Sequence, residues 1–141
     1  MRSPHPLRVS VLAAVAAGGV AGSLLRYALT LVFPASSSGF PWTIFVVNVV
    51  GCFALGALPA LAAVREHPLL PPLLGTGVLG GFTTMSTYAE QARALADNGH
   101  VVLAGTYVLG TLFAALLAVA VAQRLTSRPE RQLFEDEEGD L

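Results

Sequence analysis

Residues 80–88 read Gly-Gly-Phe-Thr-Thr-Met-Ser-Thr-Tyr, and they lie in the middle of an apolar stretch long enough to cross a membrane. Lipid supplies no hydrogen-bond partner for a freed backbone carbonyl or a hydroxyl group, so such a sequence persists only where protein, an ion or water satisfies it. Glycine also permits backbone angles that release carbonyls from the helical ladder. The segment therefore predicts a broken membrane helix that forms a functional site. A kinked helix repaired by threonine hydroxyls is the structural alternative.

The composition of the whole chain is that of an integral membrane protein. Of its 141 residues, 54% are hydrophobic and 12% are charged, and the mean hydropathy is +0.66. Soluble domains carry about 25% charged residues. A membrane helix needs roughly 20 apolar residues, and four such stretches occur: Val9–Val32, Trp42–Val64, Leu69–Ala96 and Val101–Ala122. The sequence thus predicts an all-α protein with four transmembrane helices, the third of them broken.

The residues outside these stretches predict short loops and two polar ends. We assign residues 1–8 to an N-terminal tail, 9–124 to the transmembrane domain and 125–141 to a disordered, charged C-terminal tail. Six of the eight arginines lie at the two ends or in the second loop, which predicts cytoplasmic termini. The net charge of −1 gives no electrostatic basis for binding nucleic acid. Cys52 is the single cysteine, so no intrachain disulfide is possible.

Several polar residues inside the predicted spans each allow two interpretations. Arg26, near the end of the first span, either extends to the interface as an anchor or lines an entrance for anions. Asn48, in the second span, either bonds neighbouring helices or donates a neutral hydrogen bond to an anion. In the fourth span, Tyr107 and Thr111 share a helical face, but Thr111 can equally bond the backbone of its own helix. Taken one at a time, these residues do not show whether each has a structural role or a role in anion binding.

The order of the motifs along the chain resembles one known family. Three elements carry the resemblance, and they read Gly18-Gly19-x-x-Gly22-x-x-x-Arg26-Tyr27, Val47-Asn48-x-x-Gly51 and Gly77-x-x-Gly80-Gly81-x-Thr83-Thr84-x-Ser86-Thr87. Together they resemble the CrcB/Fluc fluoride channel family over nearly the whole chain except its two ends. The resemblance implies a passive, fluoride-selective channel, not an enzyme. Such a channel lies in the cell (plasma) membrane, exports cytoplasmic fluoride and protects against its toxicity.

The resemblance also implies an assembly and a set of site residues. Members of that family are dual-topology antiparallel dimers in the lipid bilayer, with two narrow pores at the interface and a structural sodium ion on the dimer axis. By similarity, the backbone carbonyls of Gly80 and Thr83 would hold Na⁺, and Arg26 would lie in the entrance vestibule. The fluoride pore would be formed by Asn48, Met85, Tyr88, Ser86, Thr84, Tyr107 and Thr111.

A few positions depart from the pattern of that family. Met85 and Tyr88 stand where phenylalanine is usual, Ala115 stands where a small polar residue or glycine is common, and Thr43-Ile44 replaces a Gly-Thr pair. These departures concern conduction rather than fold. The arginine bias adds a question of assembly, because a dual-topology homodimer needs both orientations in comparable amounts. The sequence therefore leaves open a homodimer or a heterodimer with a homologous subunit.

Two other functions remain open from the sequence. Small dual-topology multidrug exporters also have four short helices in each subunit and work as dimers. That class needs a carboxylate inside the membrane, usually in the first helix, and Val9–Val32 contains none. Alternatively, the chain is a non-conducting subunit of a heterodimeric channel, if Met85 and Tyr88 block the path. Fluoride flux through the purified protein separates these functions.

Overall fold

The computed structural model describes residues 6–36 and 38–126, and every regular element in these two ranges is helical. Residues 1–5 and 127–141, which make up most of the two predicted tails, lie outside the described residues. The long helices are α1 (Pro6–Val32), α2 (Trp42–Ala57) and α6 (Val101–Leu125), and the shorter elements between them are a 3₁₀ turn (Leu58–Ala60), α3 (Ala62–Arg65), a π-helix (Pro72–Leu79), α4 (Gly80–Phe82) and α5 (Ser86–Asp97).

Three helical segments of the described chain are long and apolar enough to cross a membrane: Val9–Val32, Trp42–Ala60 and Val101–Leu125. They correspond to the first, second and fourth predicted spans. Their apolar side chains are largely exposed in the single chain, including Leu24, Phe113 and Leu117. Only lipid or another protein chain can cover so much apolar surface. The chain is therefore a multi-pass membrane protein.

The second span ends earlier than the sequence predicts. The prediction extends it to Val64, whereas regular α-helix ends at Ala57 and a 3₁₀ turn follows. Pro59 lies in that turn and has no backbone N–H to continue the helical ladder. At Leu61 the backbone is extended, with ψ of 107°. The Arg65 side chain donates to the carbonyl of Pro59 at 2.6 Å and closes the turn.

The third predicted span is not one continuous helix. Pro72–Leu79 forms a π-helix, in which the N–H of Gly80 bonds the carbonyl of Gly75, and α4 adds one turn that ends at Phe82. At Thr83 the backbone is extended, with ψ of 159°, and α5 begins only at Ser86. A π-helix of this length is rare, and wide turns of this kind frequently occur at functional sites.

Glycines allow α1 to pack against the π-helix and α4 at backbone distance. A Cβ atom on Gly18 would lie 2.8 Å from the N of Val78, and one on Gly22 would lie 2.8 Å from the N of Phe82. These small residues remove the side chains that would separate the two helices, as in other close membrane-helix pairs. On the other side of the chain, α6 packs against both α2 and α5. The break between α4 and α5 comprises residues 83–85. The helix before it, α4, packs against α1, and the helix after it, α5, packs against α6.

Candidate functional site

The break between α4 and α5 is stabilised by threonine hydroxyls. Thr83 Oγ1 donates to the carbonyl of Leu79 at 3.0 Å. Thr84 Oγ1 accepts the N–H of Thr87 at 3.2 Å, which caps the first turn of α5. It also lies 3.2 Å from Ser86 Oγ. The threonine repair foreseen as the structural alternative is therefore present, although it satisfies only part of the backbone.

Asn48 bonds the break through both ends of its amide. Its Nδ2 donates to the carbonyl of Thr84 at 3.1 Å, and its Oδ1 accepts the N–H of Thr84 at 2.9 Å. The side chain belongs to α2 and is only 8% exposed, so this pair joins α2 to the break inside the protein. An asparagine amide has two N–H groups, and only one of them bonds a residue within the ranges 6–36 and 38–126. Asn48 therefore bonds a neighbouring segment and still retains one donor.

Two backbone carbonyls at the break receive no hydrogen bond from the described residues. These are the carbonyls of Gly80 and Thr83. The residues themselves line a groove of about 380 Å³, which they share with Gly51, Cys52 and Leu55 of α2. Unbonded carbonyls are costly away from water. The carbonyls of Gly80 and Thr83 are thus oxygen acceptors left open at residues that line this groove.

Arg26 bonds the carbonyl that lies between those two positions. Its Nε donates to the carbonyl of Gly81 at 3.2 Å, and Ser23 Oγ donates to the same oxygen at 3.3 Å. The first span is therefore fixed to the third by side-chain bonds as well as by its glycines. The sequence suggested that Arg26 is an anchor at the membrane interface or lines an entrance for anions, and the bond to Gly81 is a third role. The position of Arg26 in an entrance vestibule stays a prediction.

Met85 and Tyr88 have different surroundings. Met85 is 76% exposed in the single chain. Tyr88 is partly buried, and its hydroxyl donates to the carbonyl of Val108 in α6 at 2.7 Å. Its ring lies 5.2 Å from the ring of Tyr107. The hydroxyl of Tyr88 is thus bonded within the protein, whereas the side chain of Met85 lies on the surface of the single chain.

We expect Tyr88→Phe to lower the free energy of unfolding by about 1 kcal/mol, because it removes a bond to a carbonyl of α6. The measurement is the thermal unfolding midpoint of the purified protein in detergent. Tyr27→Phe is the matched control, since Tyr27 is 60% exposed. Equal midpoints for the two variants would show that the bond to Val108 does not stabilise the protein.

The two candidate site residues of α6, Tyr107 and Thr111, are both bonded within the chain. Tyr107 is fully buried, and its hydroxyl donates to Oε1 of Gln91 in α5 at 3.0 Å. Thr111 Oγ1 donates to the carbonyl of Tyr107 at 2.7 Å, which is the intrahelical bond named as an alternative for this residue. Sequence reasoning missed Gln91. The available signal was its spacing, since Gln91 follows Tyr88 by three positions and Thr84 by seven.

Sequence comparisons with known proteins cover most of the chain. The chain matches the sequence model of the family described as CrcB-like protein, Camphor Resistance (CrcB), over residues 13–123. It is 46% identical over 118 residues to the "Fluoride-specific ion channel FluC 2" of Nocardia farcinica, covering 82% of this chain and 84% of that protein. It is 46% identical over 123 residues to FluC 1 of Streptomyces coelicolor, covering 86% and 80%. It is 48% identical over 113 residues to FluC 2 of Streptomyces avermitilis, covering 79% and 72%.

Proposed function

This chain belongs to the CrcB family, and we propose from that membership that it is a fluoride-specific ion channel, as its similar relatives are named. The observation that carries the proposal is Asn48, a buried amide that is fixed by two bonds and keeps one N–H. Hydrogen fluoride enters cells as a neutral acid and dissociates inside. A passive path is then sufficient for export, because the negative membrane potential drives the anion outward.

Asn48 suits an anion because of how its amide is held. The N–H of Thr84 occupies its Oδ1, so the acceptor end of the amide is turned to the protein and a donor end remains. A neutral donor replaces part of the hydration of an anion without trapping it by a full charge. Because the bonds to Thr84 fix the amide before the ion arrives, little reorganisation is needed on binding.

The other residues assigned to the pore would add hydroxyls and weakly electropositive surface to the path. Tyr88 contributes a ring edge, which is the positive part of an aromatic side chain, and Met85 contributes a polarizable thioether. Thr84 and Ser86 support the break. Tyr107 and Thr111 support the site from α6, and Arg26 attracts anions to the entrance from α1.

We propose that the π-helix, α4 and α5 together cross the membrane as the third of four spans. Each half is too short to cross alone, and the two halves meet at the break. The loops 33–41 and 98–100 are short, so sequential helices run in opposite directions. Four crossings place both termini on the same side of the membrane, which agrees with the arginine distribution.

We further propose an antiparallel dimer that covers the groove at the break. The groove opens outward, and exposed apolar side chains surround the single chain. An inverted second copy, or a homologous subunit, would bring a second set of carbonyls to the same place. The arginine bias favours neither assembly decisively, because arginines in the tails weigh less than those in short loops.

Sodium fits the two unbonded carbonyls. Carbonyl oxygens are the ligands that hard cations prefer, and such ions take several of them. The carbonyls of Gly80 and Thr83 would hold the ion, and a second chain would complete the set. When bound, Na⁺ would neutralise the partial charges of these oxygens and join the two chains; no step of fluoride transfer passes through it.

Replacing Na⁺ by a large organic cation on both sides of the membrane is expected to weaken the dimer or to silence fluoride flux, without competing with fluoride. The measurements are size-exclusion chromatography in detergent and fluoride efflux from liposomes, each with and without sodium. Dimer content and efflux that stay constant for hours without sodium would contradict a structural sodium ion.

Growth of cells that lack their own fluoride exporter tests the proposed function in a membrane. Expression of this chain should restore growth at fluoride concentrations that stop the parent cells, and Asn48→Asp should not restore it. Equal sensitivity with and without the chain, at confirmed expression in the membrane, would contradict export by this chain alone.

A further inference from the structure

Gln91 lies between the buried hydroxyl of Tyr107 and the outside of the single chain. Tyr107 itself has no exposed surface, and its hydroxyl donates to Oε1 of Gln91 at 3.0 Å. Gln91 is partly exposed. An ion that approaches this part of α6 therefore meets the amide of Gln91 before the hydroxyl of Tyr107.

The bond to Tyr107 fixes which end of the amide is available. It occupies the oxygen of Gln91, and Nε2 donates to no group among the residues that the structure describes. A glutamine amide carries two N–H donors on this nitrogen. An unfixed glutamine presents its oxygen or its nitrogen equally well, but one held by a hydroxyl donor presents the nitrogen. Gln91 thus offers donors in the way that Asn48 does after its oxygen accepts the N–H of Thr84.

Gln91 belongs to the segment whose first residues bind Asn48 of α2. Thr84, which binds Asn48, precedes Gln91 by seven residues, and Tyr88 lies between them with its hydroxyl on α6. Positions separated by three, four or seven residues share a helical face. Seven residues correspond to about 10 Å along a helix axis. The amide of Gln91 therefore follows Thr84, the partner of Asn48, by roughly two helical turns.

We propose that Gln91 is a second fluoride-contacting amide of this chain, with its donors oriented by the hydroxyl of Tyr107. The inference rests on the proposed function, because it assigns a further contact to the same path. Gln91 contacts the ion, and Tyr107 is a positioning residue that acts through it. Two successive neutral sites let an ion pass from one to the next without a deep trap at either.

Single-channel fluoride current in planar bilayers tests the proposal, because the current reports each open channel and not the fraction of folded protein. Gln91→Met removes the amide and keeps the length of the side chain, and we expect its current to fall about tenfold for the loss of one donor. Gln91→Glu presents only acceptors and a charge when it is ionised, so its current should fall further at about pH 8 and recover only in part towards about pH 5, because an ordinary glutamate carboxyl has a pKa of about 4.3. The wild-type current should stay nearly constant over that range.

Tyr107→Phe supplies the test of positioning. It leaves the Gln91 amide without its hydroxyl donor, so we expect a smaller loss than in Gln91→Met. Adding Gln91→Met to Tyr107→Phe should lower the current only to the level of Gln91→Met alone. Gln123→Met and Gln123→Glu are matched controls, because Gln123 is exposed near the end of α6.

The outcomes separate this inference from the proposed function. No fluoride current in the wild type would overturn the proposed function and this inference with it. Wild-type fluoride current together with full, pH-independent current in both Gln91 variants would overturn this inference alone. Losses that simply multiply in the double variant would overturn the orienting role of Tyr107.

Discussion

Replacing Gly22 with alanine is expected to prevent the native packing of the first and third spans. The new Cβ would lie 2.8 Å from the backbone N of Phe82 and would overlap the carbonyl of Val78. Both neighbours are backbone atoms of the segment next to the break, so they cannot move aside as the end of a flexible side chain can. The cost is a substantial part of the stability of a typical domain, which is about 5–15 kcal/mol in total.

Gly19→Ala is the matched control, because it makes the same change on the same helix where a Cβ meets no atom within 4 Å. Alanine favours helix over glycine by about 1 kcal/mol, so this variant should be at least as stable as the wild type. The measurements are the yield of monodisperse protein in detergent and its thermal unfolding midpoint. Similar values for the two alanine variants would contradict the close packing of α1 on the third span.

Asn48→Asp is expected to reduce fluoride flux to the background of empty liposomes. The carboxylate offers no N–H to an anion, and its charge repels the ion. The native amide donates to the carbonyl of Thr84 at 3.1 Å. A carboxylate in its place would put one acceptor against another, so the break should become less stable. We expect the variant to retain its helices and the oligomeric state of the wild type, because the contacts of α1 with the π-helix and α4 and of α2 with α6 are unchanged.

The matched control for this change is Asn98→Asp in the exposed turn after α5, which should conduct as the wild type does. Asn48→Ser should also lose most of the flux, since a hydroxyl cannot reach both the N–H and the carbonyl of Thr84. Wild-type flux from Asn48→Asp, in protein that elutes as the wild type does, would remove Asn48 from the path.

The position of the broken segment could be predicted from local sequence, but its internal geometry could not. Glycines and threonines in an apolar stretch already indicate freed carbonyls. The same residues do not reveal that the preceding turns form a π-helix, because Pro72–Leu79 suits either hydrogen-bond pattern. The end of the second span was missed because hydropathy counts Pro59 as part of an apolar run, although it lacks the N–H that a helix requires.

The partners of the polar residues lie far away in the sequence and could not be predicted from it. Asn48 bonds Thr84 across 36 positions, and Tyr107 bonds Gln91 across 16. Such pairs depend on how the helices pack, so the sequence identified Asn48 as a candidate without its partner and passed over Gln91. Thr111 makes the local bond that the sequence offered as an alternative, because a threonine hydroxyl reaches the carbonyl four residues earlier in its own helix.

The most direct measurement of the central claim is fluoride release from liposomes that contain only the purified wild-type protein, followed with a fluoride-selective electrode. A potassium ionophore balances the charge, and parallel liposomes loaded with chloride report selectivity. We predict rapid release of fluoride, retention of chloride, and no release of either ion with Asn48→Asp. Retention of fluoride by liposomes that contain folded wild-type protein, or equal release of fluoride and chloride, would contradict a fluoride-specific channel.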